Sequence, residues 1–269
     1  MSDGTQPVAL ARERGFNERT LAELIATFRS LKPAIVALDG PAGSGKSTVG
    51  RQLAALVDFL FFDTGVMYRA VTCVALNRKI NVHDEGQVDA LAEQIQIDVL
   101  PPAATETDGR QCTVAVGGED ITNQLRTQSV DQNVSIISAY GVVRQALSAN
   151  QRRISQYYGT GQAEKRGIIM AGRDIGTVVV PEAPLKIYLD ASAEERARRR
   201  YAELRGQGKQ VEYTAVLHGI IQRDELDSHR AISPLRPAAD AIVLDTSNMT
   251  PEAVVTRILQ LAQAVVPAQ

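Results

Sequence analysis

The sequence lacks several features that would place it in a specialised class of protein. It has only two cysteines in 269 residues, whereas a secreted protein more often carries a larger disulfide set. It contains no run of about 18 apolar residues, so we expect no membrane-spanning helix and no membrane partner. Residues 1–14 are polar and of mixed charge, without the apolar stretch of a signal peptide. Together these absences favour a cytoplasmic protein.

A charge excess of either sign is also missing. The 29 basic and 31 acidic side chains give a formal charge of −2, which argues against a nucleic-acid coat protein. The three histidines show no metal-ligand spacing. One imbalance stands out, because 23 of the basic residues are arginine and only six are lysine. Compositional bias would explain this, and so would a set of arginines that grip phosphate, which suits the geometry of the guanidinium group.

The first 32 residues have the character of an extension. A polar tail is followed by apolar residues spaced for one helical face, and Pro33 ends the segment. We expect this amphipathic helix to pack on the body of the protein, with docking of a partner as the alternative. Its apolar residues are Leu21, Leu24, Ile25, Phe28 and Leu31.

After the extension, short apolar runs alternate with helical patterns, which is typical of an α/β fold with a parallel sheet. The runs alternate little in polarity, as expected for strands covered by helices on both faces. The predicted strands are Ala34–Leu38, Phe59–Phe62, Gly167–Ala171, Leu185–Leu189 and Ala241–Leu244. The predicted helices are Lys46–Val57, Gly65–Asn77, Val142–Tyr157, Ala193–Arg205, Ala215–Leu226 and Pro251–Ala264.

Between Asn81 and Thr122 the pattern changes. Ile95–Leu100 and Gln111–Val116 have the composition of strands, and Gly117-Gly118 has that of a hairpin turn. We therefore expect a small inserted α+β lobe in this segment.

The first predicted strand runs directly into the motif G-x-x-x-x-G-K-S, which is followed by a helical pattern. This is the context that identifies a P-loop. Gly40, Gly43 and Gly45 let backbone N–H groups surround a phosphate, Lys46 supplies a cation to the β- and γ-phosphates, and the Ser47 hydroxyl is a ligand for Mg²⁺. The predicted ATP-binding residues of the loop are Gly40, Pro41, Ala42, Gly43, Ser44, Gly45, Lys46, Ser47 and Thr48.

Three later segments place charged side chains where parallel strands end, the edge at which open α/β sheets bind ligands. They are Asp63–Arg69, in which Thr64 can cap the next helix, Gly172–Thr177, and Arg223–Arg230. Structural salt bridges or a surface ion-pair ladder would give the same local patterns. The guanine-recognition motif of GTPases and the signature of transporter ATPases are absent.

In combination these segments resemble the bacterial cytidylate (CMP) kinases, a group of nucleoside monophosphate kinases. The matching pieces run in order over residues 34–265: Asp39–Thr48, Asp63–Arg69, Arg126–Gln128, Gly172–Thr177 with Pro181, Glu194–Ala197, Arg223-Asp224 with Asp227-Ser228 and Arg230, and Ile232–Leu235. The resemblance implies an α/β P-loop NTPase fold with a five-stranded parallel core sheet, an inserted monophosphate-binding lobe and a helical lid. It implies ATP-dependent phosphorylation of CMP and dCMP with Mg²⁺, and a monomer without a nucleic-acid partner.

The resemblance also implies roles for individual residues. Arg69 and Arg173 would grip the CMP phosphate beside Lys46, and Arg223 and Asp227 would hold the ribose. The base would be surrounded by Ser135, Arg144, Asp174 and Arg230, with Thr64 and Tyr68 nearby. Asp174 could instead orient a water bound to Mg²⁺.

The lid is expected at Ala193–Gly208. Arg196, Arg199 and Arg200 follow i, i+3, i+4 spacing, which predicts that all three face the ATP phosphates together. Gly206 and Gly208 would permit hinge motion, and a solvated basic helix is the alternative. The loop Asp245–Ser247 is expected near the adenine. The predicted catalytic residues are Lys46, Arg69, Arg173, Arg196 and Arg200.

These assignments divide the chain into an extension (1–32), a core (33–62, 133–192 and 212–269), a CMP-binding lobe (63–132) and a lid (193–211). Leu226 receives no role, because its place is basic in some relatives. Three alternatives stay open: a kinase for another small molecule, such as shikimate; a nucleotide-binding module without phosphoryl transfer; and nucleic-acid binding by the extension.

Overall fold

A computed structural model of the protein describes residues 18–161, 163–230 and 232–266. The predicted polar tail, residues 1–15, lies outside these ranges. No helix in the described ranges is long and apolar enough to span a bilayer.

A five-stranded parallel sheet forms the centre of the fold, as predicted. Its strand order is β2-β6-β1-β7-β8. Because most of these side chains are apolar on both faces, the inner strands are buried almost throughout. The strands are β1 (Ile35–Asp39), β2 (Leu60–Asp63), β6 (Ile168–Gly172), β7 (Leu185–Asp190) and β8 (Ile242–Asp245), each within one residue of its predicted bounds.

Helices cover both faces of this sheet, and the sheet divides the hydrophobic core into two halves. Two of them match their predicted bounds at both ends: α2 (Lys46–Val57) and α3 (Gly65–Asn77). The other helices around the sheet run one or two residues beyond their predicted ends: α6 (Gly141–Gly159), α7 (Ala193–Gly206), α8 (Tyr213–Ser228) and α9 (Pro251–Val265).

The segment 81–122, called the insertion lobe below, carries a separate antiparallel sheet of order β3-β4-β5. The strands β3 (Ile97–Leu100) and β4 (Thr113–Val116) begin two residues after their predicted starts. Gly117 and Gly118, at φ 60° and 83°, make the predicted turn into β5 (Glu119–Asp120), because these angles suit residues without a side chain. Three further elements were not predicted: α4 (Glu85–Gln94), the 3₁₀ turn Thr122–Arg126 and α5 (Gln128–Ile137).

The extension helix α1 (Glu18–Arg29) packs on the body, which confirms the packing prediction. Leu24, Phe28 and Leu31 are buried in the core half that also holds α2 and α9. The ring of Phe28 lies 5.7 Å from that of Phe59. Arg29 donates from Nε to the carbonyl oxygen of Val57 at 3.0 Å, so the extension satisfies an acceptor at the carboxyl end of α2.

Candidate active site

The loop between β1 and α2 has the geometry of a phosphate-binding loop. Its three glycines lie at positive φ, and a side chain at Gly40 would collide with the carbonyl oxygen of Leu189 at 2.1 Å. The buried Lys46 donates from Nζ to the carbonyl oxygens of Gly40 and Pro41 at 2.8 and 2.7 Å. Burial lowers the pKa of Lys46 well below its ordinary value, and the charge of Arg173 lowers it further. The lysine is thus held inside the loop, beside an arginine predicted to bind phosphate.

Two oxygen ligands meet at the start of α2. The Ser47 hydroxyl donates to Asp63 Oδ2 at 3.1 Å, joining the P-loop to the end of β2. Hydroxyl and carboxylate oxygens are the ligands that Mg²⁺ prefers, so this pair fits the ion that the motif implies. Among the described residues, no group of three or more His, Cys, Asp or Glu side chains is arranged as a metal site.

Three of the predicted CMP-binding arginines converge on one carboxylate, that of the fully buried Asp227. Arg173 approaches Asp227 Oδ2 at 2.9 Å, Arg223 approaches Oδ1 at 3.3 Å, and Arg230 also pairs with Oδ1. Burial acts to raise the pKa of Asp227, but the three positive charges outweigh it and the pKa lies below its ordinary value. The carboxylate therefore stays ionised and holds the three guanidinium groups together. This set is called the Asp227 cluster below.

A second buried pair lies beside the Asp227 cluster. Arg144 Nη2 and Asp174 Oδ2 are 3.0 Å apart, and the Arg144 guanidinium lies 5.6 Å from the centre of the Tyr68 ring. Burial raises the pKa of Tyr68 to about 12, so its hydroxyl stays protonated. A cavity of about 310 Å³ opens next to this pair. It is lined by Ser135, Arg144, Arg223 and Arg230, all predicted site residues, and also by Ser138, Ala139, Gly141, Leu226 and Ile232.

Arg69 is fixed by contacts from the segment that follows the insertion lobe. Its Nη1 donates to the carbonyl oxygen of Leu125 at 2.9 Å and to Asp131 Oδ1 at 2.5 Å. The Thr64 side chain does not cap α3 as predicted, because its hydroxyl donates to the carbonyl oxygen of Ala171 at 3.0 Å.

The prediction that three lid arginines face the ATP phosphates together differs from the arrangement in the structure. Arg196 is buried and makes a two-point ion pair with Asp224 at 2.6 and 3.0 Å. It also donates to the carbonyl oxygen of Ala42 in the P-loop at 3.1 Å. The first arginine of the series therefore ties the lid to the P-loop and to α8, because Asp224 offers it a carboxylate in the matching geometry.

The other two lid arginines have different partners again. Arg199 donates to the carbonyl oxygen of Thr246 at 2.5 Å, whereas Arg200 pairs with the exposed Glu203 at 2.7 Å. Thr246 in turn donates from Oγ1 to the carbonyl oxygen of Ser44 at 3.3 Å. The loop predicted to lie near the adenine thus contacts both the lid and the P-loop.

Several residues of this region were given no role by the sequence analysis, although Asp39 and Asp224 lie in the segments that resemble the family. Asp39, Asp131 and Asp224 each hold a part of the site through a partner distant in the chain. No local pattern could have indicated them. Leu226 and Ile232 line the cavity although they are large, apolar and exposed. No sequence pattern indicates that these two side chains line a cavity, and only their exposure in the structure does so.

Comparisons with known proteins agree on one family. The family model for cytidylate kinase matches residues 36–264. A cytidylate kinase of Herpetosiphon aurantiacus is 46% identical over 87% of this chain and 96% of its own length. One from Carboxydothermus hydrogenoformans is 43% identical over 84% of this chain and 96% of its own. Among solved structures, shikimate kinase from Bacteroides thetaiotaomicron covers 85% of this chain and 98% of its own with a TM-score of 0.43 and 12% identity, too weak a likeness to bear on function.

Proposed function

Because the chain belongs to the cytidylate kinase family, it is a kinase that phosphorylates CMP and dCMP with ATP, and we propose how its residues carry out this reaction. The observation that carries the proposal is the Asp227 cluster, in which three arginines surround one buried carboxylate beside the nucleoside-sized cavity. Such a cluster is suited to an anionic ligand that carries hydroxyl groups.

The P-loop is the proposed site of the ATP phosphates. Backbone N–H groups of Gly40–Thr48 and the amino end of α2 point at the β- and γ-phosphates. Lys46 leaves its carbonyl partners Gly40 and Pro41 to neutralise charge on the transferred group. Positioning and neutralisation are the main contributions a protein makes to phosphoryl transfer.

Arg69 and Arg173 are proposed to bind the phosphate of CMP. One of its oxygens attacks the γ-phosphorus of ATP in line, while the bond from that phosphorus to the bridging oxygen breaks and ADP departs. Because the attacking oxygen is already anionic near neutral pH, the reaction requires no strong general base. The two arginines instead offset the repulsion between two anions.

The cavity is proposed to select cytosine. Cytosine presents acceptors at O2 and N3 and a donor at its amino group, which matches arginine donors from Arg144 or Arg230 and acceptors from Asp174 or Ser135. Uracil reverses the donor pattern at two positions and would leave buried polar groups without partners, which discriminates strongly. Arg223 and Asp227 would then hold the ribose.

The Ser47 and Asp63 pair is proposed to hold Mg²⁺, which supplies further neutralisation of the ATP phosphates when bound. Ser47 would be a direct ligand and Asp63 would accept from a water of the ion. Asp174 is assigned to the base in this proposal, because its carboxylate is engaged by Arg144.

Closure of the lid, residues 193–211, is proposed to complete the site. Arg200 is half-exposed, and among the described residues its acid partner is Glu203 in its own helix, so it can turn to the ATP phosphates at small cost. Arg196 would exchange Asp224 for phosphate. The proposed division into core, CMP-binding lobe and lid is the one expected from the sequence, and one chain is proposed as the active unit.

An acceptor panel with ATP and Mg²⁺ tests the proposal. Purified protein is assayed with CMP, dCMP, UMP, AMP and shikimate, and the product is identified by chromatography. We expect CDP and dCDP to form with the highest kcat/KM, and the Lys46→Met variant to form neither at a measurable rate. A clear preference for UMP, AMP or shikimate would overturn the assignment of the cavity. ATP binding without CDP would instead indicate a regulatory module.

A further inference from the structure

Asp39, the last residue of β1, is a carboxylate in an unusual place. Its side chain is only 5% exposed, although no cation pairs with it directly among the described residues. Instead, Oδ1 accepts from the backbone N–H of Ile175 at 2.9 Å and Oδ2 accepts from that of Gly176 at 2.7 Å. Burial raises the pKa of Asp39 to about 6, so the group is ionised above that pH. Both oxygens are thus used to bind one distant loop.

The two N–H groups belong to the start of a π-helical turn, Ile175–Val179. The first N–H groups of a helical turn have no partner within it and require an outside acceptor. Asp174 stands at the capping position but makes no capping hydrogen bond, because its carboxylate is paired with Arg144. Asp39 supplies the missing acceptor from another strand and leaves Asp174 available to the cavity.

The contact also joins the two halves of the site. On one side, Asp39 is followed directly by Gly40, whose carbonyl oxygen accepts from Lys46. On the other side, the bound turn directly follows Arg173 and Asp174. There is little free space around this link, since a side chain at Gly176 would lie 3.2 Å from Lys186 and 3.4 Å from Asp39 Oδ2. The distance between the P-loop and Arg173 is therefore set in part by one carboxylate.

We propose that Asp39 is a positioning residue that caps the turn after Arg173 and Asp174 and thereby holds these two residues in register with the P-loop. The inference rests on the proposed function, because it assigns Arg173 to the CMP phosphate and Asp174 to the base. Asp39 itself contacts neither substrate. Its effect is to align the attacking phosphate with the γ-phosphate, where a displacement of about 1 Å is known to cost roughly 100-fold in rate.

The isosteric variant Asp39→Asn breaks the link with the least change in shape. One amide oxygen can still accept from Ile175 or Gly176, but the amide NH₂ then faces the other backbone N–H, donor against donor. The matched control is Asp84→Asn, since Asp84 also accepts from a helical N–H, that of Gln87 at 3.1 Å, outside the site. Both variants remove one negative charge and one capping carboxylate.

The kinetic test compares KM for CMP, KM for ATP and kcat in the wild type and both variants. We expect Asp39→Asn to lower kcat/KM for CMP by roughly 10- to 100-fold while KM for ATP changes less than about twofold. Asp84→Asn should keep wild-type kinetics. An equal rise in KM for CMP and for ATP, or wild-type kinetics in Asp39→Asn, would overturn the inference.

A double-mutant cycle shows whether Asp39 acts through Arg173. In the Arg173→Met background, Asp39→Asn should lower kcat/KM for CMP much less than it does in the wild type, because Arg173, one of the two side chains that Asp39 positions, is gone. If the fold-loss in kcat/KM of the double variant equals the product of the two single-variant losses, Asp39 acts independently of Arg173 and the proposal is wrong. Should Asp39→Asn fail to fold, Asp39→Glu keeps the charge but displaces it, and is expected to show the same loss specific to CMP; wild-type kinetics in that variant would overturn the proposal.

Hydrogen exchange separates this inference from the assignment of the enzyme. The amides of residues 175 and 176 should exchange faster in Asp39→Asn than in the wild type, whereas Asp84→Asn should leave them unchanged. This readout does not depend on turnover. Absence of CDP formation in the wild type would refute the proposed function, whereas unchanged exchange would refute the link alone.

Discussion

Replacing Arg230 by methionine should weaken CMP binding and leave ATP binding nearly intact. Arg230 contributes to the Asp227 cluster and lines the cavity, with most of its side chain buried. Methionine replaces the aliphatic stem of arginine but has no charge and no hydrogen-bond donor. A hydrogen bond to a charged group contributes about 1.5–3 kcal/mol, and about 1.4 kcal/mol corresponds to a factor of ten. The Kd for CMP should therefore rise by roughly 10- to 150-fold.

Isothermal titration calorimetry with CMP and with ATP measures this effect. The matched control is Arg153→Met, because Arg153 also pairs with a carboxylate, Asp98 at 3.0 Å, outside the site. The control should bind both nucleotides like the wild type. Arg230→Met should also narrow the ratio of kcat/KM between CMP and UMP, since one donor to the base is lost. If ATP binding collapses instead, or CMP binding does not change, Arg230 does not belong to the nucleoside site.

Three further results are expected. Phe28→Ala should lower the free energy of unfolding by about 3–5 kcal/mol in urea denaturation, because Phe28 is fully buried against Phe59; a loss below about 1 kcal/mol would mean that the extension helix is not part of the cooperative fold. Cys112, whose pKa burial raises to about 12, should not react with Ellman's reagent at pH 8 until urea unfolds the protein, and rapid reaction of that thiol in the native state would contradict its burial. Asp131→Asn should raise KM for CMP a few-fold, since it loosens Arg69 at a partly exposed pair; a lower KM would show that Asp131 competes with the phosphate.

The parallel sheet could be predicted from the sequence to within one residue per strand. Its strands are short apolar runs, and each run has turn residues or a helical pattern at both ends. Each strand boundary therefore has a local cause. The P-loop could be predicted in the same way, because Gly40–Ser47 are consecutive residues and their phosphate-binding geometry is local. The match of α2 to its predicted bounds follows from the same motif.

The missed elements lie where local signals are weak. Helix α4 buries only Val88, Leu91 and Ala92, so its apolar stripe is narrow and its sequence pattern does not predict a separate helix. Helix α5 buries only Val130 and Ile137. Helix α4 packs mainly on α6 and helix α5 mainly on α3, so tertiary contacts stabilise both helices more than their own pattern does, and a pattern search does not detect that packing.

Contacts between distant residues account for the rest of the site. Arg69 meets Asp131 across 62 positions, and Arg196 meets Asp224 across 28. The spacing of Arg196, Arg199 and Arg200 predicted one common target, but spacing within a helix says nothing about the acids that other elements present. The resemblance to a family could name the arginines together with Asp174 and Asp227, but only the folded chain could show which carboxylate holds each arginine.

The pairing of these arginines has a consequence for how the substrate arrives. Arg69, Arg144 and Arg196 each face a carboxylate, and Asp227 offsets part of the charge of its three partners. The cleft therefore projects a weaker field than the number of its arginines implies, and the attraction of a distant nucleotide is limited. Much of the free energy needed to desolvate these guanidinium groups is already expended when the chain folds. An arriving phosphate meets guanidinium groups that carboxylates already hold in place, so that the enzyme trades speed of encounter for a site whose shape exists before its substrate does.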